Sequence, residues 1–308
     1  MSNLFWISGF EVFGITIKFY GILIALGFII GLLLVIKYCK QKGLPENMPY
    51  DLLLIVFPSA IIGARLNYII FTPDLDWTFA KVFRIWEGGL MIYGGIVFSV
   101  IAIAIYCAVK KINFLSVLDL IAPALILGQA IGRWGNFFNQ EAYGSLITNS
   151  AFQWFPFGVY IENSHFTTEA QKQLISAYGS LPQGAWFNAT FFYESVWCFG
   201  GFLLLHYLSK KQCPRGLMAA TYLSYYGFER FFVEMLRTDS LYLGSIRVSV
   251  FISGVIFFLG TGYLTYLLIK HLKNKKLKIQ KQTIEETTTK PDAEKTKSIE
   301  QTVENKKD

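Results

Sequence analysis

Residues 18–36 read KFYGILIALGFIIGLLLVI, and beyond Lys18 none of them carries a charge. A helix of about nineteen residues rises roughly 28 Å, close to the ~30 Å hydrocarbon thickness of a bilayer. In lipid every backbone N–H and C=O must be satisfied internally, and a helix does this within one segment. The pattern repeats downstream. Apolar runs of similar length lie near 51–71, 89–109, 115–131, 190–208, 217–235 and 248–269. Together they predict an all-α membrane protein with seven transmembrane helices. No basic stretch precedes the first run and no A-x-A-like site follows it, so it reads as a retained span.

Composition agrees. The chain is 53% apolar, 17% aromatic and only 16% charged, too little charge to cover a soluble domain of 308 residues. The net charge of +7 reads as orientation and contact with anionic lipid headgroups, not as a nucleic-acid surface. Cys39, Cys107, Cys198 and Cys213 are scattered, so neither a disulfide framework nor a metal or cofactor site is expected. Lys37, Lys40 and Lys42 follow the first run, and Lys110 and Lys111 the third. Lys210, Lys211 and Arg215 follow the fifth, and a lysine run from Lys270 follows the seventh. Lysine and arginine at span ends favour the cytoplasmic side, which predicts an outer N-terminus and an inner C-terminus. Residues 1–271 then make the transmembrane domain. Within it, residues 140–188 carry Trp154, Phe155, Phe157, Tyr160, Trp186 and Phe187 and read as a small extracytoplasmic cap with aromatics suited to the headgroup zone. Residues 272–308, rich in Lys, Glu and Thr, are expected to form a disordered cytoplasmic tail.

Ionisable groups inside a membrane are costly, so their depth is informative. At about 1.5 Å per residue, Arg65 lies roughly 21 Å along its span from Asp51, Arg230 about 20 Å from Leu217, and Arg133 about 27 Å from Leu115. Tyr20, Glu87, Tyr93 and Glu194 fall near the outer ends of their own spans. This predicts one polar level in the outer third of the bilayer. Asp119, near the inner start of the fourth span, stands apart, at a helix start where the dipole favours a carboxylate. Arg230, Glu234 and Arg237 are spaced i, i+4, i+7 and share a helix face. Two readings are open. The stripe is an ion pair holding the bundle together, or with Arg133 it is an anion site whose planar guanidinium forks fit phosphate oxygens. The inner half is nearly bare of charge, unlike the full-depth polar path of a transporter or channel. No histidine of the membrane core pairs with a serine and no G-x-S-x-G elbow appears, against an intramembrane protease.

Residues 132–144 read GRWGNFFNQEAYG. An arginine, two asparagines and a glutamate gather where an apolar span ends, as a polar binding loop or a helix cap would require. The run resembles the signature of the prolipoprotein diacylglyceryl transferase family, G-R-x-G-N-F-x-N-x-E-x-x-G, at every fixed position. Similar elements are Lys18-Phe19-Tyr20-Gly21, Gly63-Ala64-Arg65-Leu66, Asp119-Leu120-Ile121-Ala122-Pro123, Phe192-Tyr193-Glu194-Ser195 and Arg230-Phe231-Phe232-Val233-Glu234 with Arg237. The resemblance extends to about residue 270.

It implies a multi-pass enzyme of the bacterial cytoplasmic membrane with its site toward the outer leaflet. The implied reaction moves an sn-1,2-diacylglyceryl group from phosphatidylglycerol to the lipobox cysteine thiol of a prolipoprotein, forming a thioether and releasing glycerol phosphate. Carried over by position, Arg133 and Arg230 contact the lipid headgroup, and Tyr20, Asn136, Glu141, Gly144 and Glu234 are functionally sensitive. Asn139, Arg65, Arg237 and Glu194 are further expected substrate contacts. One position departs from the family. Where many members carry a histidine suited to act as general base, this chain has Tyr93, and its own histidines are His165, His206 and His271. A thiol with a reference pKa of about 8.5 must lose its proton, and Tyr93, Glu141 and Glu234 are the candidate acceptors. Tyr93 alternatively positions substrate through a hydrogen bond. A catalytically altered lipid-binding relative or a membrane transporter is the alternative.

Overall fold

The computed structural model describes residues 8–304, apart from 74, 76, 237–241 and 244–245. A two-stranded hairpin, β1 (Gly9–Val12) with β2 (Ile15–Lys18), leads into helix α1 (Phe19–Gln41). Next come α2 (Met48–Phe71), the short α3 (Phe79–Phe83), α4 (Ile92–Lys110) and α5 (Phe114–Asn139). Strands β3 (Gly158–Glu162) and β4 (Gly184–Asn188) pair antiparallel, with α6 (Thr168–Tyr178) between them. The chain continues through α7 (Thr190–Ser209), α8 (Leu217–Leu236), the β5 (Tyr242–Leu243) and β6 (Ile246–Arg247) pair, and α9 (Val248–Glu304).

Among the described residues, five helices are long and apolar enough to cross a membrane: α1, α2, α4, α5 and the Ser249–Lys278 stretch of α9. Helices α7 and α8 occupy the fifth and sixth expected spans but are not among the five. Glu194, Ser195 and His206 on α7, and Glu229, Arg230 and Glu234 on α8, dilute their apolar character. Both pack against α5, to which Glu194 and Ser195 reach, while Arg230 turns to Glu194 and Glu234, and His206 bonds Tyr38 of α1. The seventh helix also differs from expectation. It continues to Glu304 through the residues expected to be disordered. Lys, Glu and Gln are good helix formers and continue a helix already nucleated in a packed span, although Thr287–Thr289 and Pro291 work against it.

Helix α5 is the central element, packed on α1, α7 and α8, while α2 pairs with α4 and α8 with α9. Helices α2 and α4 meet backbone to backbone at Gly63 and Gly94, where a Cβ on either would strike the other's carbonyl oxygen. Such small-residue contacts let membrane helices gain van der Waals packing where no hydrophobic force drives them together. At the start of α5, buried Asp119 accepts hydrogen bonds from the backbone N–H groups of Gly216 (2.6 Å) and Ala219 (2.9 Å). It therefore caps α8, a different helix from the one whose dipole was expected to hold it. Residues 140–189 have their own apolar cluster, which includes Tyr143, Ile161, Leu174 and Phe187. Phe187, expected among the headgroup aromatics, is fully buried there, whereas Trp154, Phe155 and Phe157 are exposed.

Candidate functional site

The signature segment is not a loop from Gly132 onward. Its first eight residues are the last turns of α5, which ends at Asn139. Gly135 serves close approach: a Cβ there would lie 2.5 Å from the Tyr20 ring on α1. Positive φ falls instead on Gln140 (51°) and Ala142 (55°), which flank Glu141. Left-handed backbone at non-glycine residues costs energy and persists where the surroundings over-determine it. They do so here. The Gln140 side chain accepts the Glu162 N–H (2.8 Å), and the Ala142 carbonyl accepts the Thr190 hydroxyl. The Tyr143 hydroxyl donates to the His165 carbonyl (2.8 Å), and the Gly144 N–H donates to the Asn188 carbonyl (2.9 Å). Glu141 is thus delivered at a fixed place with an exposed carboxylate.

From Glu141 a chain of polar contacts runs across three helices. Its Oε1 accepts from the side-chain amides of Asn136 (2.9 Å) and Asn139 (3.2 Å). Asn136 in turn accepts from Arg133 at 3.5 Å. The other end of the Arg133 fork lies 2.6 Å from Glu194 Oε2 on α7. Arg230, on α8, reaches the same oxygen at 3.1 Å and pairs with Glu234 at 2.5 Å. Glu194 is fully enclosed (0% of its side chain exposed), and the arginines are 17% and 15% exposed. Two guanidiniums from different helices therefore share one carboxylate oxygen in a low-dielectric setting, where such contacts are strong and their loss is costly.

Seven expected site residues meet in this chain: Arg133, Asn136, Asn139, Glu141, Glu194, Arg230 and Glu234. Tyr20 borders it, over Gly135 and within reach of the charges of Glu141 and Arg133. Gly144 contributes through the backbone, by anchoring the segment after Glu141. Arg65 and Tyr93 are held elsewhere. Arg65 donates to the carbonyls of Lys81, Val82 (3.0 Å), Gly88 (2.8 Å) and Gly89 (3.0 Å). A hollow of about 200 Å³ lies beside it. The Tyr93 hydroxyl is 3.2 Å from Ser249 Oγ on α9. Arg237 lies outside the described residues. Three contributors escaped the sequence reading. Glu229, buried on α8, adds a third enclosed carboxylate next to Arg230 in sequence. Ser195 accepts the Trp134 indole N–H (3.1 Å) and donates to the Ala130 carbonyl (2.8 Å), which ties α7 to the signature helix. Gln140 was visible only as a variable letter of the signature.

A mostly helical chain with several apolar spans and a buried polar network linking α5, α7 and α8 defines a multi-pass membrane protein with an internal charged site. The profile of the family described as prolipoprotein diacylglyceryl transferase matches residues 8–266. A Clostridium botulinum (strain Langeland) protein named phosphatidylglycerol–prolipoprotein diacylglyceryl transferase is 43% identical over 245 residues, covering 79% of this chain and 90% of that one. A Clostridium kluyveri protein of the same name is 39% identical over 259 residues, covering 84% and 95%. The chain belongs to the prolipoprotein diacylglyceryl transferase family.

Proposed function

We propose that this protein transfers an sn-1,2-diacylglyceryl group from phosphatidylglycerol to the lipobox cysteine of prolipoproteins, in the bacterial cytoplasmic membrane. The thiol sulfur attacks the glyceryl CH₂ bonded to phosphate oxygen. That C–O bond breaks, a thioether forms, and glycerol phosphate leaves as the phosphate monoester. In this reading α7 and α8 complete seven spans, the N-terminus faces out, and the site opens toward the outer leaflet, with residues 140–188 as the cap above it.

The observation that carries the reading is the convergence of Arg133 and Arg230 on Glu194 Oε2. Two guanidiniums held together by a carboxylate are already arranged for the oxygens of a phosphodiester, which presents similar acceptors. Charge grows on phosphate as the glyceryl bond breaks, and preorganised donors there are worth roughly 3–4 kcal/mol each. Among the candidate proton acceptors, Glu234 is committed to Arg230. Glu141 is exposed, and among the described residues its Oε2 accepts no hydrogen bond while both amides hold Oε1. The carboxylate therefore suits the thiol proton, and in this reading Tyr93, whose hydroxyl reaches Ser249, takes part as a second acceptor or by positioning substrate.

The test is a reconstituted assay with labelled phosphatidylglycerol and a lipobox peptide, read by mass as a diacylglyceryl thioether. Arg133→Ala should cut transfer at least about a hundredfold in protein that remains inserted. Full retained transfer would remove Arg133, and the reading with it.

A further inference from the structure

We infer that Arg65 is a positioning residue for Tyr93, acting through the 81–91 segment that its guanidinium holds in place. This rests on the reading of Tyr93 as a participant in transfer.

Arg65 is buried near the end of α2, and its N–H groups go to backbone carbonyls of Lys81, Val82, Gly88 and Gly89. Trp77 and Tyr68 rings flank it at 5.3 and 5.7 Å. Among the described residues no carboxylate pairs with it; Glu87, in the same segment, pairs with Arg84 at 3.2 Å. Four of the five guanidinium N–H groups are thus spent on main chain, which leaves little with which to bind a ligand. It leaves a good deal with which to fix a turn.

The turn leads directly to Tyr93. Gly88 and Gly89 have φ of 88° and 75°, and a Cβ on Gly89 would sit 2.5 Å from Arg65 Nη1. The Met91 N–H then donates to the carbonyl of Ala64, the neighbour of Arg65 (3.0 Å). Immediately after Tyr93, Gly94 lies against the Gly63 backbone. Tyr93 is therefore bracketed by contacts with residues 63–65 of α2, and its hydroxyl is left to reach Ser249 of α9 at 3.2 Å. Lysine cannot replace the staple, because one ammonium cannot reproduce a planar fork serving four carbonyls.

The experiment is a double-mutant cycle on transfer by the full-length reconstituted protein, with kcat and KM for phosphatidylglycerol measured separately. Arg65→Lys should lower kcat by about tenfold to a hundredfold through misplacement, with KM little changed. In a Tyr93→Phe background the same substitution should have almost no further effect. An equal loss in both backgrounds would overturn the inference and leave the transferase reading intact. A Tyr93→Phe protein with native kcat would also overturn it, and would at the same time remove Tyr93 from the reaction. Should Arg65→Lys fail to fold, Gly89→Ala perturbs the staple from its other side and enters the same cycle.

Discussion

Among the described residues, two kinds of largely enclosed arginine occur, and they are satisfied by different partners. Arg65 is surrounded by backbone carbonyls and two aromatic rings. Arg133 and Arg230 face carboxylates. A carbonyl cannot leave without the loop that carries it, so the first arrangement is permanent. A carboxylate side chain can turn aside without moving its backbone, which on the proposed reading would let a headgroup take its place. The two arginines are outnumbered by the carboxylates around them, Glu194, Glu234 and the buried Glu229. On the proposed reading, a phosphate would have to replace these contacts, because no vacant positive hole awaits it among the described residues. If the proposed reading holds, it is the partner, not the residue type, that distinguishes an arginine that builds from one that binds.

The comparison can be broken in several places. The largest effect is expected for Glu194→Ala, which leaves two guanidiniums facing each other without their shared oxygen. It should lower stability by about 3–5 kcal/mol, seen as an early thermal transition in detergent. Arg65→Met should cost about 1–3 kcal/mol by removing the donors of four partly buried backbone carbonyls, again on the melting curve. Arg133→Ala inverts that pattern: transfer falls by about a hundredfold, or roughly 2.7 kcal/mol on the barrier, while the melting temperature moves less than for Arg65→Met. If Arg65→Met and Arg133→Ala give the same ratio of stability to activity loss, the distinction between the two kinds of arginine is empty. Smallest is Asp119→Ala, expected to cost about 1–2 kcal/mol of stability by uncapping α8, with transfer by the folded fraction unaltered.

Much of this was legible beforehand because membrane helices and ionisable groups leave strong traces in sequence. The spacing of apolar runs located α1, α2, α4, α5 and α9, and the rarity of intramembrane charge picked out Arg133, Arg230, Glu194 and Glu234. The i, i+4 relation of Arg230 and Glu234 became a direct ion pair. What stayed hidden depended on partners distant in the chain. The opposition of Arg133 and Glu194, 61 positions away, needs α5 and α7 side by side. The role of Asp119 needs α8 to begin beside it, and periodicity is silent on which helix neighbours which. The polar letters of the signature alone fit a binding loop or a helix cap. In the structure those letters line the last turns of a helix, where Tyr20 requires Gly135 to be small.

Helix α5 has 26 residues and so measures about 39 Å, against roughly 30 Å for a bilayer interior. Whichever way the bundle faces, its surplus length must tilt or emerge, and the end that carries Arg133, Asn136 and Asn139 rises or sinks with membrane thickness. Acyl-chain length in the surrounding lipid thereby becomes a setting on how far the charged network sits from water, independent of any change in the protein.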